Sequence, residues 1–281
     1  MKLGFLLLTQ HNVVDKFDPK TSSTCHLFYN TNKSSFCFAF YQGGDLFHML
    51  GKSGKFDETT TAFYAAQIAN IISFLHSKNI AYRDLKLENL MVNENGYLTL
   101  IDFGSCKIVE DQNELESSFV GSPDYMSPEV INGDGHNLMA DWWSYGILIY
   151  ELLYGIPPFH DEKIERCFDL ITSANIRFPS KIKLASSTKD IILKLLKKNP
   201  HERLGKGKYE QIIQHSFFEG INPKNVLLQK TNPPRRPDIS NEDITYNFDK
   251  IYINLSLENH EAPVDMSLLN QISSLFEEFE S

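Results

Sequence analysis

Tyr82–Val92 reads YRDLKLENLMV. It places an Asp (Asp84), a Lys (Lys86) and an Asn (Asn89) within six positions, between a helical run and a short apolar strand. Eighteen residues beyond Asp84, after a second apolar strand, comes Asp102-Phe103-Gly104. The strands are joined by Asn93-Glu94-Asn95-Gly96, and Asn-Gly is a strong hairpin signal. Asn89 and Asp102 therefore fall at the two open ends of one hairpin, near enough to share a metal ion. Two carboxylates, a Lys and an Asn are the groups phosphoryl transfer needs. One Asp orients the attacking hydroxyl, the Lys neutralises the moving phosphoryl group, and the Asn and second Asp hold magnesium on the phosphates. A lone Asp-Phe-Gly is a weak signal. Four solvated loop residues would leave the joint spacing unexplained.

Upstream of this stretch, Asp57 is placed to N-cap a helix, with Phe56 before it as a hydrophobic staple. Tyr64, Ile68, Ile71, Ile72 and Leu75 then recur at helical spacing. Downstream, Asp141-Trp142-Trp143 opens a helix that ends near Gly155 and is apolar on all sides, the mark of a buried helix. Ser187 to Lys198 reads as an amphipathic helix stopped by Pro200.

The chain has 281 residues, 42% of them hydrophobic and 22% charged, which suits one large or two small globular domains. A formal charge of −9 argues against a nucleic-acid partner and permits a basic protein substrate. Cys25, Cys37, Cys106 and Cys167 show neither metal nor disulfide spacing, which points to reduced thiols in the cytoplasm or nucleus. Gly4 to Leu8 is too short for a signal-peptide core, and Tyr145 to Tyr154, broken by Glu151, is too short to span a bilayer. Gly51-Lys52-Ser53 is no P-loop, because position 46 is Leu.

Arg-Asp-x-Lys-x-x-Asn, the hairpin and Asp-Phe-Gly together resemble the catalytic and magnesium loops of eukaryotic protein kinases. Tyr82 in place of the usual His is similar to the AGC group of Ser/Thr kinases. The resemblance implies an α+β kinase-like fold with a mainly helical C-lobe and a truncated, β-rich N-lobe. It implies an N-lobe remnant over 1–41, a C-lobe over 42–218 and an AGC C-terminal tail over 219–281. It also implies ATP and Mg²⁺ as cofactors, with Asp84, Lys86, Asn89 and Asp102 catalytic and with Asn89 and Asp102 holding the metal.

Phe36 to Tyr41 reads as a buried strand leading to the hinge, so the resemblance assigns Phe38 (the gatekeeper), Ala39, Tyr41, Asp45 and Met91 to the nucleotide. Asp45 has a plainer reading as an N-cap, and the two are compatible. Asp102 to Glu129 resembles an activation loop. Ser122 would bond the catalytic Asp and Lys and implies a Ser/Thr acceptor. Ser118 matches the loop's phosphosite, read by Arg83 and Lys107 and filled by an upstream activating kinase. Asp45, Glu88 and Glu151 match carboxylates that bind basic residues before the acceptor. The alternative for Glu88 and Glu151 is a solvated surface charge. Asp141, and Arg203 paired with Glu129, match structural positions. In the tail, Tyr246-Asn247-Phe248-Asp249 resembles the Asn-Phe-Asp element. Phe276, Phe279 and Glu280 resemble the hydrophobic motif, or form an amphipathic terminal helix. Against this, no G-x-G-x-x-G and no Val-Ala-x-Lys strand precedes Phe38. A kinase-like scaffold without catalysis is therefore the second reading.

Overall fold

The computed structural model describes residues 26–30, 33–37, 41–109, 115–206, 209–240 and 246–248. Strands β1 (His26–Asn30) and β2 (Lys33–Cys37) form an antiparallel hairpin ahead of the hinge. After it the chain is mostly helical, and the architecture is α+β. Short two-stranded ribbons sit among the helices, β3 (Ile80–Ala81) with β6 (Lys107–Ile108), and β4 (Leu90–Val92) with β5 (Leu98–Leu100).

Helix α1 (Leu46–Ser53) begins where the Asp45 side chain accepts from His48 N. Helix α2 (Glu58–Ser77) begins the same way, with Asp57 accepting from Thr60 N. Neither Gly nor Pro interrupts α2, and its alanines let neighbours close in on nearly every side. Phe56 packs against Tyr64 with the rings tilted and 5.7 Å between centroids, a turn further along than the staple position expected for it. Tyr64, Ile68, Ile72 and Leu75 are buried as their spacing predicts, while Ile71 is half-buried.

Helix α3 (Pro128–Asn132) is short, and α4 (Met139–Tyr154) is buried along its whole length up to Leu153. It starts two residues before the expected Asp141, because Asn137 Oδ1 accepts from Met139 N and caps the turn. It ends on Gly155, whose φ of 80° terminates the ladder in the left-handed region. A Cβ on Gly146 would lie 2.8 Å from Leu195 Cβ, so α4 meets α6 (Ser186–Leu195) at a backbone-close crossing. Helix α6 stops at Leu195 rather than Lys198, since Leu204 N turns back to Lys194 O. Helices α5 (Ile164–Ser173), α7 (Glu210–Ile213) and α8 (Pro223–Leu227) complete the lobe.

Each fully buried Leu or Ile of the α2/α4/α6 core contributes roughly 2 kcal/mol of transfer free energy. One buried ion pair lies in that core. Arg203 Nη1 and Nη2 meet Glu129 Oε1 and Oε2 at 2.7 and 2.8 Å. The guanidinium also donates to Met139 O and lies 5.3 Å from the Trp143 ring centroid. Burial raises the Glu129 carboxyl pKa, but Arg203 outweighs it and holds the group below its usual value. Among the described residues no helix is long and apolar enough to cross a membrane.

After α8 the chain runs over the β4–β5 hairpin and the hinge. Tyr97 Oη donates to Thr231 O at 2.5 Å, Arg235 stacks on Phe56 and donates to Ser53 Oγ, and Asn247 Nδ2 donates to Gln42 O and Asp238 O. Phe38, Ala39, Phe276, Phe279 and Glu280 lie outside the described residues.

Candidate active site

Residues 82–89 are held by their backbone. The Asp141 carboxylate is 1% exposed and accepts from Tyr82 N (2.9 Å), Arg83 N (2.8 Å) and His76 Nε2 (2.8 Å). Arg83 has φ of 70°, a left-handed conformation that costs a non-glycine residue about 1–3 kcal/mol. Two amide bonds to one buried carboxylate hold it there. Tyr82 is fully buried. Its Oη donates to Ile101 O at 2.5 Å and its ring meets Phe103 edge-on at 5.7 Å. It ties the first loop to the second, and burial pushes its phenol pKa well up.

The three polar side chains of the first loop converge. Ser122 Oγ donates to Asp84 Oδ1 at 2.8 Å, Lys86 Nζ donates to the same Oγ at 2.9 Å, and Lys86 Nζ lies 2.9 Å from Asp84 Oδ2. A hydroxyl, a carboxylate and an ammonium close a triangle. Gly121, at φ 117°, makes it possible: a Cβ there would come within 2.8 Å of Arg83 O.

Asn89 is buried and its Nδ2 donates to Asp84 O at 2.9 Å. The hairpin register pairs Leu90 with Leu100, and Ile101 N donates to Asn89 O at 2.9 Å. Asp102 follows directly, exposed, with φ of 58° and its Oδ1 accepting from Gly104 N. The hairpin thus brings Asn89 and Asp102 to one end, as its sequence predicts. Among the described residues no group of three or more His, Cys, Asp or Glu is placed to hold a metal. A carboxylate and a carboxamide oxygen fit magnesium, which takes hard oxygen ligands and usually completes its shell with substrate phosphates and water.

On the hinge side, Asp45 and Met91 form an isolated antiparallel bridge, and Val92 N donates to Gly44 O at 2.8 Å. Asp45 and Met91 are therefore brought side by side, Tyr41 O accepts from Gly44 N at 3.0 Å in the turn before them, and all three residues are half-buried.

The acidic positions differ in setting. Glu88 reaches solvent, yet desolvation raises its carboxyl pKa, with Asp45 and Asp84 adding to the rise against the pull of Lys86. Glu151 is no solvated surface charge: it is 2% exposed on α4 and accepts from Tyr125 Oη at 2.6 Å. Burial pushes its pKa up to about 7, and Glu88 and Asp124 raise it further against the Tyr125 bond. Asp124 itself meets His160 Nδ1 at 3.1 Å.

Arg83 Nη1 donates to Ser118 Oγ at 2.9 Å. Lys107 does not reach Ser118 directly; its Nζ pairs with Glu116 Oε1 at 3.2 Å. Cys106 and Cys167 are free thiols whose pKa values burial pushes up to about 12, so neither is a ready nucleophile. Sequence reading missed His76, Tyr125, Glu116 and the Asp45–Met91 bridge. Only the chain's return past the loop reveals them, and no local pattern marks them.

Residues 12–218 match the protein kinase domain, a longer match than the motifs from residue 36 onward imply. The chain is 37% identical over 222 residues to the serine/threonine-protein kinase gad8 of Schizosaccharomyces pombe, covering 79% of this chain and 39% of that protein. It is 35% identical over 233 residues to the human RAC-beta serine/threonine-protein kinase, covering 82% of this chain and 48% of that protein. Against the serine/threonine-protein kinase YPK1 of Saccharomyces cerevisiae it is 35% identical over 238 residues, 85% of this chain and 34% of that one. The chain thus spans less than half the length of each of these relatives. A helical lobe built on α2 and α4, a hairpin with Asn and Asp at its open end, and this shared sequence place the chain in the protein kinase domain family.

Proposed function

We propose that the chain is a protein Ser/Thr kinase domain of AGC type that transfers the γ-phosphate of ATP to Ser or Thr in protein segments with preceding basic residues. The observation that carries the reading is the Ser122–Asp84–Lys86 triangle. Asp84 Oδ1 already accepts a hydroxyl proton at 2.8 Å, within the reach that a general base needs. A substrate hydroxyl taking the place of Ser122 would lose its proton to Asp84 as its oxygen attacks the γ-phosphorus. The bond from that phosphorus to the β,γ-bridging oxygen breaks, and ADP leaves with that oxygen. Lys86 holds Asp84 in place and faces the charge on the moving phosphoryl group. Asn89 and Asp102 would hold magnesium, which when bound offsets charge on the phosphates. Tyr41, Asp45 and Met91, with Phe38 and Ala39, would line the nucleotide, and Asp45, Glu88 and Glu151 would face the basic substrate residues.

The match ending at residue 218 supports a boundary there, with an N-lobe remnant over 1–41, the C-lobe over 42–218 and a tail over 219–281. The described tail contacts with Gln42 and Tyr97 support an AGC-type strap, and Phe276, Phe279 and Glu280 would be its hydrophobic motif. Free thiols at Cys106, half-buried, and Cys167, buried, fit a cytoplasmic or nuclear setting.

A scaffold without catalysis is the second reading, favoured by the lack of a glycine-rich loop or Val-Ala-x-Lys strand before Phe38. Thermal shift of the full chain with Mg-ATP separates the two. Magnesium-dependent stabilisation that Asp102→Asn abolishes, together with phosphate transfer to an Arg-rich Ser peptide that Asp84→Asn abolishes, supports the kinase. A folded chain that shows neither shift nor transfer rules out catalysis by this chain on its own.

A further inference from the structure

Glu116 sits where three segments meet. Its backbone is fixed by a bridge to buried His136, with Glu116 N donating to His136 O at 2.8 Å and His136 N to Glu116 O at 2.9 Å. Its side chain turns toward the catalytic loop. Oε1 lies 3.2 Å from Lys107 Nζ, and Oε2 lies 3.6 Å from Arg83 Nη1 and 3.4 Å from Ser118 Oγ. In an extended chain residues i and i+2 share a face, so Glu116 and Ser118 turn to the same side, Glu116 meeting both cations and Ser118 meeting Arg83. Arg83 is otherwise bound through Nε to Ser105 O at 2.6 Å and precedes Asp84 in the chain. Lys107 stands on β6, paired with Ala81 just before the catalytic loop.

The charges around Ser118 can be counted. Among the described residues the two cations face one carboxylate, leaving about one positive charge. A phosphate on Ser118 would bring −1.5 to −2. With Glu116 still in place the cluster would then be overfilled with negative charge, so the two anions compete for the same cations.

Building on the kinase reading, we propose that Glu116 is a positioning residue that stands in for a phosphate. Its carboxylate holds Arg83 and Lys107 over an unphosphorylated Ser118 and so keeps the loop beside Asp84, and a phosphate on Ser118 takes that seat over. The unmodified segment is then ordered through charge that the chain carries itself, and phosphorylation exchanges one counter-ion for a stronger one.

Amide hydrogen exchange on the full chain tests this without requiring catalysis. At low salt, Glu116→Gln raises exchange across 115–122 by roughly two- to five-fold, the range of an exposed ion pair. Glu116→Asp raises it less, and phosphoserine placed at position 118 returns the Glu116→Gln chain to the unsubstituted level. Raising the salt to about 0.5 M has the same effect on the unsubstituted chain and little on Glu116→Gln. Unchanged exchange in Glu116→Gln, or no rescue by phosphoserine, overturns the proposal. Should Glu116→Gln not fold, the salt titration of the unsubstituted chain decides, and exchange in 115–122 that ignores salt is the refuting result. A chain that shows this exchange pattern but never transfers phosphate refutes the kinase reading alone; one that transfers phosphate while Glu116→Gln exchanges normally refutes only the role of Glu116.

Discussion

Asp141→Asn tests how the catalytic loop is held, because it changes one atom's chemistry and almost no volume. The carboxylate accepts from Tyr82 N, Arg83 N and His76 Nε2, all within 2.9 Å, and is 1% exposed. A carboxamide presents one oxygen and one NH₂. Oδ2 accepts from both Tyr82 N and His76 Nε2 and Oδ1 from Arg83 N, so in the better orientation the NH₂ faces Arg83 N: one charge-assisted bond is lost and the other two become neutral ones. A bond to a charged acceptor contributes about 1.5–3 kcal/mol and a neutral one about 0.5–1.5. The expected cost is therefore roughly 3–6 kcal/mol, and Arg83 loses part of what keeps it at φ 70°. Urea denaturation should show the midpoint falling by about 1–3 M, given the m-values of small domains. Exchange of the Tyr82 and Arg83 amides should rise by about two to four orders of magnitude, at about 1.4 kcal/mol per decade. The same substitution at Asp102 is the control. That residue is exposed and already at φ 58°, a conformation Asn tolerates well, so its stability should stay within about 0.5 kcal/mol. A cost below about 0.5 kcal/mol at Asp141, with unchanged amide exchange, would refute the account of the anchor.

Glu151, pushed up to about 7 from an ordinary 4.5, binds a proton more readily folded than unfolded. The stability it gives is full below the unfolded pKa and is lost as pH rises through the folded one. Between pH 5 and 8 the unsubstituted chain should lose on the order of 2–3 kcal/mol that Glu151→Gln does not lose, and parallel urea curves for the two chains would contradict this. If Glu151 receives a basic substrate side chain, affinity for an Arg-rich peptide should drop several-fold from pH 8 to pH 6, and Glu151→Gln should flatten that slope in a titration by anisotropy. Arg203→Met leaves Glu129 buried without a partner and should cost about 3–5 kcal/mol, with part of the loss recovered in Arg203→Met/Glu129→Leu; additive losses in that pair would argue against coupling.

The hairpin and its ends were legible in the sequence because their information is local. Asn93 to Gly96 specify a turn, the flanking residues alternate as strands, and Asn89 and Asp102 follow from register alone. The α2 core was legible for a like reason, since its apolar spacing from Tyr64 to Leu75 repeats over about three turns. The two ends that shifted, Met139 for α4 and Leu195 for α6, depend on a capping side chain and on a returning loop, and neither has a periodicity to read. Glu151 marks the limit more sharply. By sequence it is a charge interrupting an apolar helix, which suits solvent or a site equally. Its burial, and the Tyr125 hydroxyl that meets it, come from a segment twenty-six residues away in the chain. Glu116 is the same case: two residues before Ser118 it reads as an ordinary loop acid, and only the fold sets Arg83 and Lys107 against it.

Non-glycine residues at positive φ sit beside the chemistry on both loops, Arg83 before Asp84 and Asp102 itself. Each conformation costs free energy, so each must be over-determined by its surroundings. The two are held differently. Arg83 is clamped from every side, by Asp141 on its amide, by Ser105 and Ser118 on its guanidinium, and by Gly121 against its carbonyl. Asp102 is held mainly through its neighbours: the Ile101 carbonyl takes the Tyr82 hydroxyl, Phe103 packs on the same ring, and among the described residues the carboxylate reaches only Gly104 N. On the proposed kinase reading, a rigid first loop would fix where a hydroxyl is deprotonated. A second loop fixed by its flanks, with its carboxylate exposed, can accept a cation without breaking a buried contact. On this view Tyr82 is the joint between a stiff element and an adjustable one. Tyr82→Phe should then loosen Asp102 while leaving the Asp84–Ser122–Lys86 triangle in place. Exchange would rise at the amides of 102–105 and not at those of 83–86, and equal rises in both would show that the two loops are a single unit.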